Sequence, residues 1–97
     1  MPDVKTLLEE GNDLSKKKDW AEALERYRTA TSLDPENADL HFLVGCCHFK
    51  MNHGPGARTA WERTLQLDPD HEKARKWIHR VTGLDFQTPV AERNASL

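Results

Sequence analysis

The chain has 97 residues, of which 31% are charged and 37% are hydrophobic, and its formal net charge is −2. This length predicts one small domain with a modest core and little room for an enclosed active site. The slight negative charge gives no reason to expect binding to nucleic acid or to an anionic membrane. No apolar segment is long enough for a signal peptide or a membrane span, so we expect a cytoplasmic protein.

The first unit, residues 4–37, is predicted to form two helices. Apolar residues recur at helical spacing from Val4 to Leu14, and the polar segment "SKKKD" then interrupts the pattern. A second stripe runs to Leu33, whose side chain we expect to pack in the last turn. Pro35 prevents continuation, because proline lacks the amide hydrogen and pushes the preceding residue out of helical geometry.

The second unit, residues 38–71, repeats this plan 34 positions later. Gly11 returns as Gly45, and the segment "LDPEN" returns as "LDPDH". The aromatic residue Tyr27 is matched by Trp61. We expect each glycine to let two helices approach closely, and the aromatic side chain to fill the wider gap one turn further along. A fixed period of this length indicates a repeat architecture.

A third helix start follows in the segment "EKARKWIHRVTG", and Gly83 is a suitable helix stop. No second helix follows it, so residues 72–83 are predicted to cap the open end of the stack. Residues 84–97 are predicted to be a mostly flexible tail. Leu84 and Phe86 are exceptions, which either dock on the cap or lie in the groove of the chain.

This pattern resembles the tetratricopeptide repeat, which has a period of 34 residues with glycine, alanine, aromatic and proline positions at fixed spacing. The resemblance covers residues 4 to about 83. It implies an all-α fold with two tandem helix-turn-helix hairpins and a capping helix, wound as a right-handed superhelix within a domain of residues 1–83. The matching positions are Gly11, Ala23, Tyr27 and Pro35 in the first copy and Gly45, Ala57, Trp61 and Pro69 in the second.

The resemblance also implies binding of other proteins, because the first helices of successive repeats line a groove that holds a peptide. Phe42 and Phe49 share one helix face, where they either contact a ligand or pack under a neighbouring helix. Basic side chains on the cap are either solvated or receive acidic groups. The ligand is therefore expected to carry apolar and acidic residues. The predicted groove residues are Leu8, Asn12, Phe42, Cys46, Phe49, Lys73, Lys76 and Arg80.

One known version of this groove is a carboxylate clamp that grips the acidic C-termini of heat-shock chaperones. It uses Lys, Asn, Asn, Lys and Arg, and the matching positions here are Leu8, Asn12, Leu43, Lys73 and Trp77. Only Asn12 and Lys73 fit, which argues against chaperone tails as ligands. Trp77 is expected either to be buried against the second repeat or to be an aromatic anchor.

Histidine and cysteine residues cluster in the second unit, at His41, Cys46, Cys47, His48 and His53. None of them forms the i, i+4 pair that a zinc site on a helix uses, so we predict no metal site. Cys46 is a possible reactive thiol in the groove. No phosphate loop or nucleophile motif is present, and we predict no cofactor and no enzymatic activity.

The predicted function is a protein–protein interaction module acting as an adaptor, a scaffold or a small chaperone. The alternative is a structural protein that forms a homodimer through apolar end faces of the stack. Those faces are predicted to contain Val4, Leu7 and Leu14 at one end and Trp77 with Phe86 at the other.

Overall fold

The computed structural model describes residues 3–82, which contain five helices and no strand. The prediction of an all-α fold with two hairpins and a capping helix is confirmed. The domain bounds and the right-handed superhelix stay predictions, and those made for Leu84, Phe86 and the tail lie outside the described residues. The helices are α1 Val4–Lys16, α2 Trp20–Leu33, α3 Ala38–Lys50, α4 Gly54–Leu67 and α5 Glu72–Thr82.

The first helix of each unit begins at a residue whose side chain caps it. The Asp3 carboxylate accepts a hydrogen bond from the amide of Thr6 at 2.8 Å. The Asn37 side chain accepts from the amide of Asp39 at 3.1 Å. His71, at the matching place before α5, accepts a backbone amide on Nδ1 at 3.2 Å. Each cap satisfies an amide that the helix itself leaves unpaired.

The two hairpin turns have the same backbone. Lys18 and Asn52, 34 positions apart, adopt positive φ angles of 63° and 66°. A residue in this conformation ends a helix, and the next amide reaches back five residues to a helix carbonyl, as in a Schellman motif. These bonds are 2.8 Å long from Asp19 to Leu14 and from His53 to His48.

Glycine and an aromatic ring meet inside each hairpin. A Cβ atom on Gly11 would lie 2.5 Å from Cε1 of Tyr27, and one on Gly45 would lie 2.4 Å from Nε1 of Trp61. Each ring therefore lies directly on the glycine of the facing helix, not one turn further along as predicted. Tyr27 and Trp61 are 2% and 0% exposed, so both glycines are required by the packing of the rings.

The largest cluster of buried side chains joins the second hairpin to the cap. It contains Phe42, Ala57, Trp61, Leu65, Ala74 and Ile78. Two smaller clusters join the first hairpin to α3, and they contain Leu7, Ala30 and Leu40 and, separately, Ala23, Tyr27 and Cys47.

The packing predicted for Leu33 is wrong, because its side chain is 55% exposed. Helix α3 meets α2 through Leu40, which packs with Ala30 one turn earlier. The side chain of Leu33, at the end of α2, is left uncovered.

Candidate peptide-binding groove

Helices α1 and α3 border two adjoining cavities, which we call the α1–α3 groove. The first cavity has a volume of about 400 Å³ and the second about 430 Å³. Both are lined by Asn12 and Leu43, so they form one continuous surface. The first is lined by Leu8, Asn12, Asn37, Asp39, Leu40, Phe42, Leu43, His71 and Lys73. The second is lined by Asn12, Ser15, Lys16, Trp20, Tyr27, Leu43, Cys46, Cys47 and Lys50.

Five of the eight predicted groove residues line these cavities. They are Leu8, Asn12, Phe42, Cys46 and Lys73. The other three are not among the lining residues. Lys76 and Arg80 instead line a separate cavity of about 500 Å³ along α5.

Of the two alternatives predicted for Phe42, the structure shows the packing under a neighbouring helix. Its side chain is only 9% exposed and packs in the cluster that joins α3 to α4 and α5. The ring lies 6.4 Å from that of Trp61 and 5.0 Å from that of His71. Phe42 therefore supports one wall of the first cavity from within the core, as the alternative of packing under a neighbouring helix predicted.

Phe49 remains 38% exposed, and it covers other aromatic side chains. Its ring centroid lies 6.0 Å from that of Trp61 and 5.1 Å from that of Trp77. Trp77 is half-buried, and the Arg80 guanidinium lies 5.0 Å from its ring. Phe49 and Arg80 thus belong to an aromatic cluster at the junction of α3 and the cap.

A polar cluster positions Asn12 at the centre of the groove. The Tyr27 hydroxyl donates to Oδ1 of Asn12 at 2.7 Å and lies 3.1 Å from the Ser15 hydroxyl. Burial raises the pKa of Tyr27, so the phenol keeps its proton at neutral pH. The Asn12 amide nitrogen remains available to donate to a ligand, since only the oxygen accepts from Tyr27.

Several lining residues were not predicted from the sequence. Leu43, Lys16, Lys50 and Trp20 are not among the predicted groove residues. The Lys50 ammonium lies 5.7 Å from the Trp20 ring, which is a cation–π geometry. Lys50 follows Lys16 by 34 positions, so the two lysines occupy equivalent places in the two repeats. This period is the sequence signal that could have placed both of them at one end of the groove.

One carboxylate lines the first cavity, and it is already paired. Asp39 Oδ1 lies 2.8 Å from Nε2 of His71, whose Nδ1 accepts the amide of Ala74. Because Nδ1 is an acceptor, the hydrogen of the neutral ring lies on Nε2 and is donated to Asp39. Lys73 in the same cavity is exposed and has no ion-pair partner among residues 3–82.

The two thiols are poor nucleophiles. Burial raises the pKa of Cys46 to about 11 and that of Cys47 to about 12, so both are protonated at neutral pH. The idea of a reactive Cys46 is therefore not supported. Within residues 3–82, no group of three or more histidine, cysteine or acidic side chains is placed to hold a metal ion. None of the described helices has the length and apolar character needed to cross a membrane.

Comparison with known proteins agrees with the geometry of the hairpins. The sequence profile described as TPR repeat matches residues 11–52, from the centre of α1 into the turn after α3. Residues 11–52 therefore match a tetratricopeptide repeat, which supports the resemblance predicted from the sequence. Tetratricopeptide repeats generally mediate protein–protein interaction, and members of the family are typically not enzymes.

A plant protein also resembles part of this chain. Protein CTR9 homolog from Arabidopsis thaliana is 36% identical to it over 56 residues. The matched region is 57% of this chain and only 5% of the length of that relative. The similarity therefore concerns only a small part of that relative.

Proposed function

We propose that this protein binds a peptide segment with apolar and acidic residues in the α1–α3 groove. It would act without catalysis, as a cytoplasmic adaptor, scaffold or small chaperone. The observation that supports this proposal is the continuous surface of two cavities that share Asn12 and Leu43. The lysines at both ends of this surface have no ion-pair partner among residues 3–82.

The apolar part of the ligand would lie on the centre of this surface. Leu8, Leu43 and Cys46 are half-buried there and form its floor. Apolar side chains of a peptide would remove the remaining exposed area of these residues from water. This burial contributes about 25 cal/mol of binding free energy per Å². Asn12 lies between them and could donate to a peptide carbonyl.

The acidic residues of the ligand would lie towards the lysines. Lys16 and Lys50 line one cavity, Lys73 lines the other, and Asp39 is paired with His71. Exposed ion pairs contribute only about 0.2–1 kcal/mol each, so these charges would select and orient the peptide more than hold it.

Chaperone tails remain poor ligands under this proposal. The clamp positions occupied here by Leu8 and Leu43 are apolar and half-buried. A ligand tail with several adjacent carboxylates would leave some of them without a partner on this floor, at a cost in desolvation.

A random peptide display library would test the proposal without knowledge of the partner. We expect the selected sequences to combine apolar residues with aspartate or glutamate. Amide chemical-shift changes caused by a selected peptide should concentrate around Asn12 and Leu43. Selection of basic or purely apolar peptides, or shifts on the outer face of α2 and α4, would contradict the proposal.

A charge-reversal pair gives a matched control. The variant Lys50→Glu/Lys73→Glu changes the groove, whereas Lys17→Glu/Lys18→Glu makes the same charge change at the exposed α1–α2 turn. We expect the groove variant to bind a selected acidic peptide about tenfold more weakly, which corresponds to two pairs of about 0.7 kcal/mol. Equal weakening in both variants would show that only the net charge matters.

The homodimer alternative stays a prediction. The end face predicted at α1 is smaller than expected, because Leu7 is 4% exposed and packs with Ala30 and Leu40. Trp77 is likewise partly covered by Phe49. Light scattering over a range of concentrations would test it, since a constant monomer mass would exclude the dimer.

A further inference from the structure

Two histidines face each other across the turn of the second hairpin. Nδ1 of His48, near the end of α3, lies 3.1 Å from Nδ1 of His53, and the ring centroids are 5.0 Å apart. The pair lines a crevice of about 680 Å³ that also borders α2 and α4. This crevice does not share a lining residue with the α1–α3 groove.

The backbone of the turn brings the two rings together. Asn52 adopts a φ angle of 66°, and the His53 amide bonds to the His48 carbonyl at 2.8 Å. A Schellman motif of this kind places the side chains of these two positions in contact. The rule that metal-binding pairs on a helix are four residues apart does not apply, because this pair is five residues apart and spans a helix end.

Gly56, in the first turn of α4, provides the space for the pair. A Cβ atom at this position would lie 2.6 Å from Nδ1 of His53 and 2.9 Å from Nδ1 of His48. No side chain larger than hydrogen fits there unless the imidazoles move. The two nitrogens share a hydrogen bond in this structure, and both lie next to the space that the glycine leaves open.

The separation of the nitrogens suits two bonds to one metal ion. Bonds of about 2.0–2.1 Å to atoms 3.1 Å apart enclose an angle of about 95–102° at the metal. This angle lies between the octahedral and tetrahedral values. Imidazole nitrogen is a preferred ligand for Zn²⁺, Cu²⁺ and Ni²⁺.

We propose that His48 and His53 form a two-imidazole chelate for a divalent transition-metal ion, with Gly56 leaving room for it. Water would complete the coordination shell. The bound ion would join the last turn of α3 to the start of α4. It would thereby stabilise a turn at which Gly54 stands in the place of Trp20 of the first hairpin.

The surroundings favour a neutral His48 and limit the affinity. Desolvation, together with the nearby charges of His53 and Arg28, holds the pKa of His48 below its ordinary value. Arg28, Arg63 and His41 line the same crevice, and within residues 3–82 no carboxylate does. Positive neighbours weaken the binding of a cation, so we expect affinity well below that of a site with three or four ligands.

The chelate can be tested by titrating the tag-free full chain with Ni²⁺, Zn²⁺ or Cu²⁺ in a calorimeter. The imidazole signals in NMR spectra are followed during the titration with Zn²⁺, which is diamagnetic. We expect one ion per chain, shifts confined to His48 and His53, and a higher melting temperature. Mg²⁺ should have no effect. His48→Gln and His53→Gln should each weaken binding at least about tenfold, since loss of even an outer-shell partner costs about 10–100-fold.

Three controls make the outcome decisive. His79→Gln removes an exposed histidine of α5 and should leave the affinity unchanged. Gly56→Ala should weaken binding in a chain that circular dichroism shows to be folded. Equal affinity in the variant with both His48 and His53 replaced would place the ion elsewhere, such as at the thiols, and would overturn the proposal. Absence of binding at millimolar ion concentration would also overturn the proposal. Stabilisation of the chain by inorganic phosphate bound at Arg28 and Arg63, in place of stabilisation by the metal ion, would overturn it as well.

Discussion

The two hairpins of this chain share one backbone plan and fill it in different ways. In the first, Tyr27 lies on Gly11 and extends its hydroxyl to Asn12 and Ser15 at the groove. In the second, Trp61 lies on Gly45 and donates its indole N–H to the main-chain carbonyl of Phe42 at 3.1 Å.

This difference decides what each hairpin contributes to the protein. The phenol of the first hairpin links the core to a polar surface, so this part of the groove is held by hydrogen bonds. The indole of the second is wholly buried and lies within 6.0 Å of the rings of Phe49 and Trp77. An aromatic cluster therefore connects the second hairpin to the cap, and one repeat position can organise either a binding surface or an internal junction.

The largest expected effect is on the rate of thiol alkylation at two equivalent groove positions, Asn12 and Cys46. Because the Cys46 pKa of about 11 lies two units above its ordinary value of 9.0, the thiolate fraction at pH 8 is about 100-fold smaller than for an ordinary cysteine. We expect Cys46 to react with iodoacetamide about 100-fold more slowly than a cysteine placed at the exposed position 12 by Asn12→Cys. Mass spectrometry of the labelled peptides would give both rates.

The same pKa shift has a consequence for stability. The folded chain holds this proton more tightly than the unfolded chain does, so the contribution to stability is present below pH 9 and is lost as the pH rises towards 11. Cys46→Ser should remove this part of the loss of stability at alkaline pH. Equal alkylation rates at the two positions would contradict the burial assigned to Cys46.

The glycines test whether the two ring contacts are equally tight. Gly11→Ala and Gly45→Ala should each destabilise the fold by about 1–3 kcal/mol, as overpacking does. We expect Gly45→Ala to cost more, because Trp61 is 0% exposed and tied to Phe42, whereas the Tyr27 ring can shift towards the groove. Urea unfolding would measure both.

Gly54 supplies the control for these two glycines. A Cβ atom there would meet nothing within 4 Å. Gly54→Ala should therefore be neutral or stabilise by about 0.5–1 kcal/mol, the usual advantage of alanine in a helix. A cost at Gly54 similar to that at Gly45 would mean that backbone freedom, not ring contact, determines the result.

The residues that cap α3 and α5 differ in the other bonds that they make. Asn37 caps α3, whereas His71 both caps α5 and bonds to Asp39 on α3. We expect His71→Ala to cost about 1–2 kcal/mol through the lost cap and the lost contact. His71→Asn should restore part of this, because asparagine can cap but is too short to bridge to Asp39. Equal stability of the two variants would show that the cap adds nothing.

The smallest expected effect is that of the Tyr27 hydroxyl. Tyr27→Phe should cost about 1 kcal/mol, since one hydrogen-bond donor is lost and Asn12 can bond to water instead. Thermal unfolding would measure the change. We expect weaker binding of groove ligands as well, because Asn12 would no longer be held in position. Unchanged peptide affinity would show that the polar cluster does not contribute to ligand binding.

The repeat was the part of the fold most accessible to prediction. Gly11 and Gly45, with the prolines after α2 and α4, identify two hairpins because each marks a backbone constraint that no distant contact can change. The groove was only partly predictable. Phe42 and Phe49 share a helix face by spacing, but α3 is covered on several sides, so spacing does not tell which neighbour covers which ring.

The sequence by itself determined the helices, their ends and the period of 34 residues, since these depend on local backbone geometry and on the spacing of apolar residues. Tertiary structure alone decided that Phe42 is buried and that Leu33 is exposed. It also decided that two histidines five residues apart meet over a glycine. The physical reason is that burial and side-chain contact depend on how whole helices pack against each other, and each residue contributes only a small part of that packing energy.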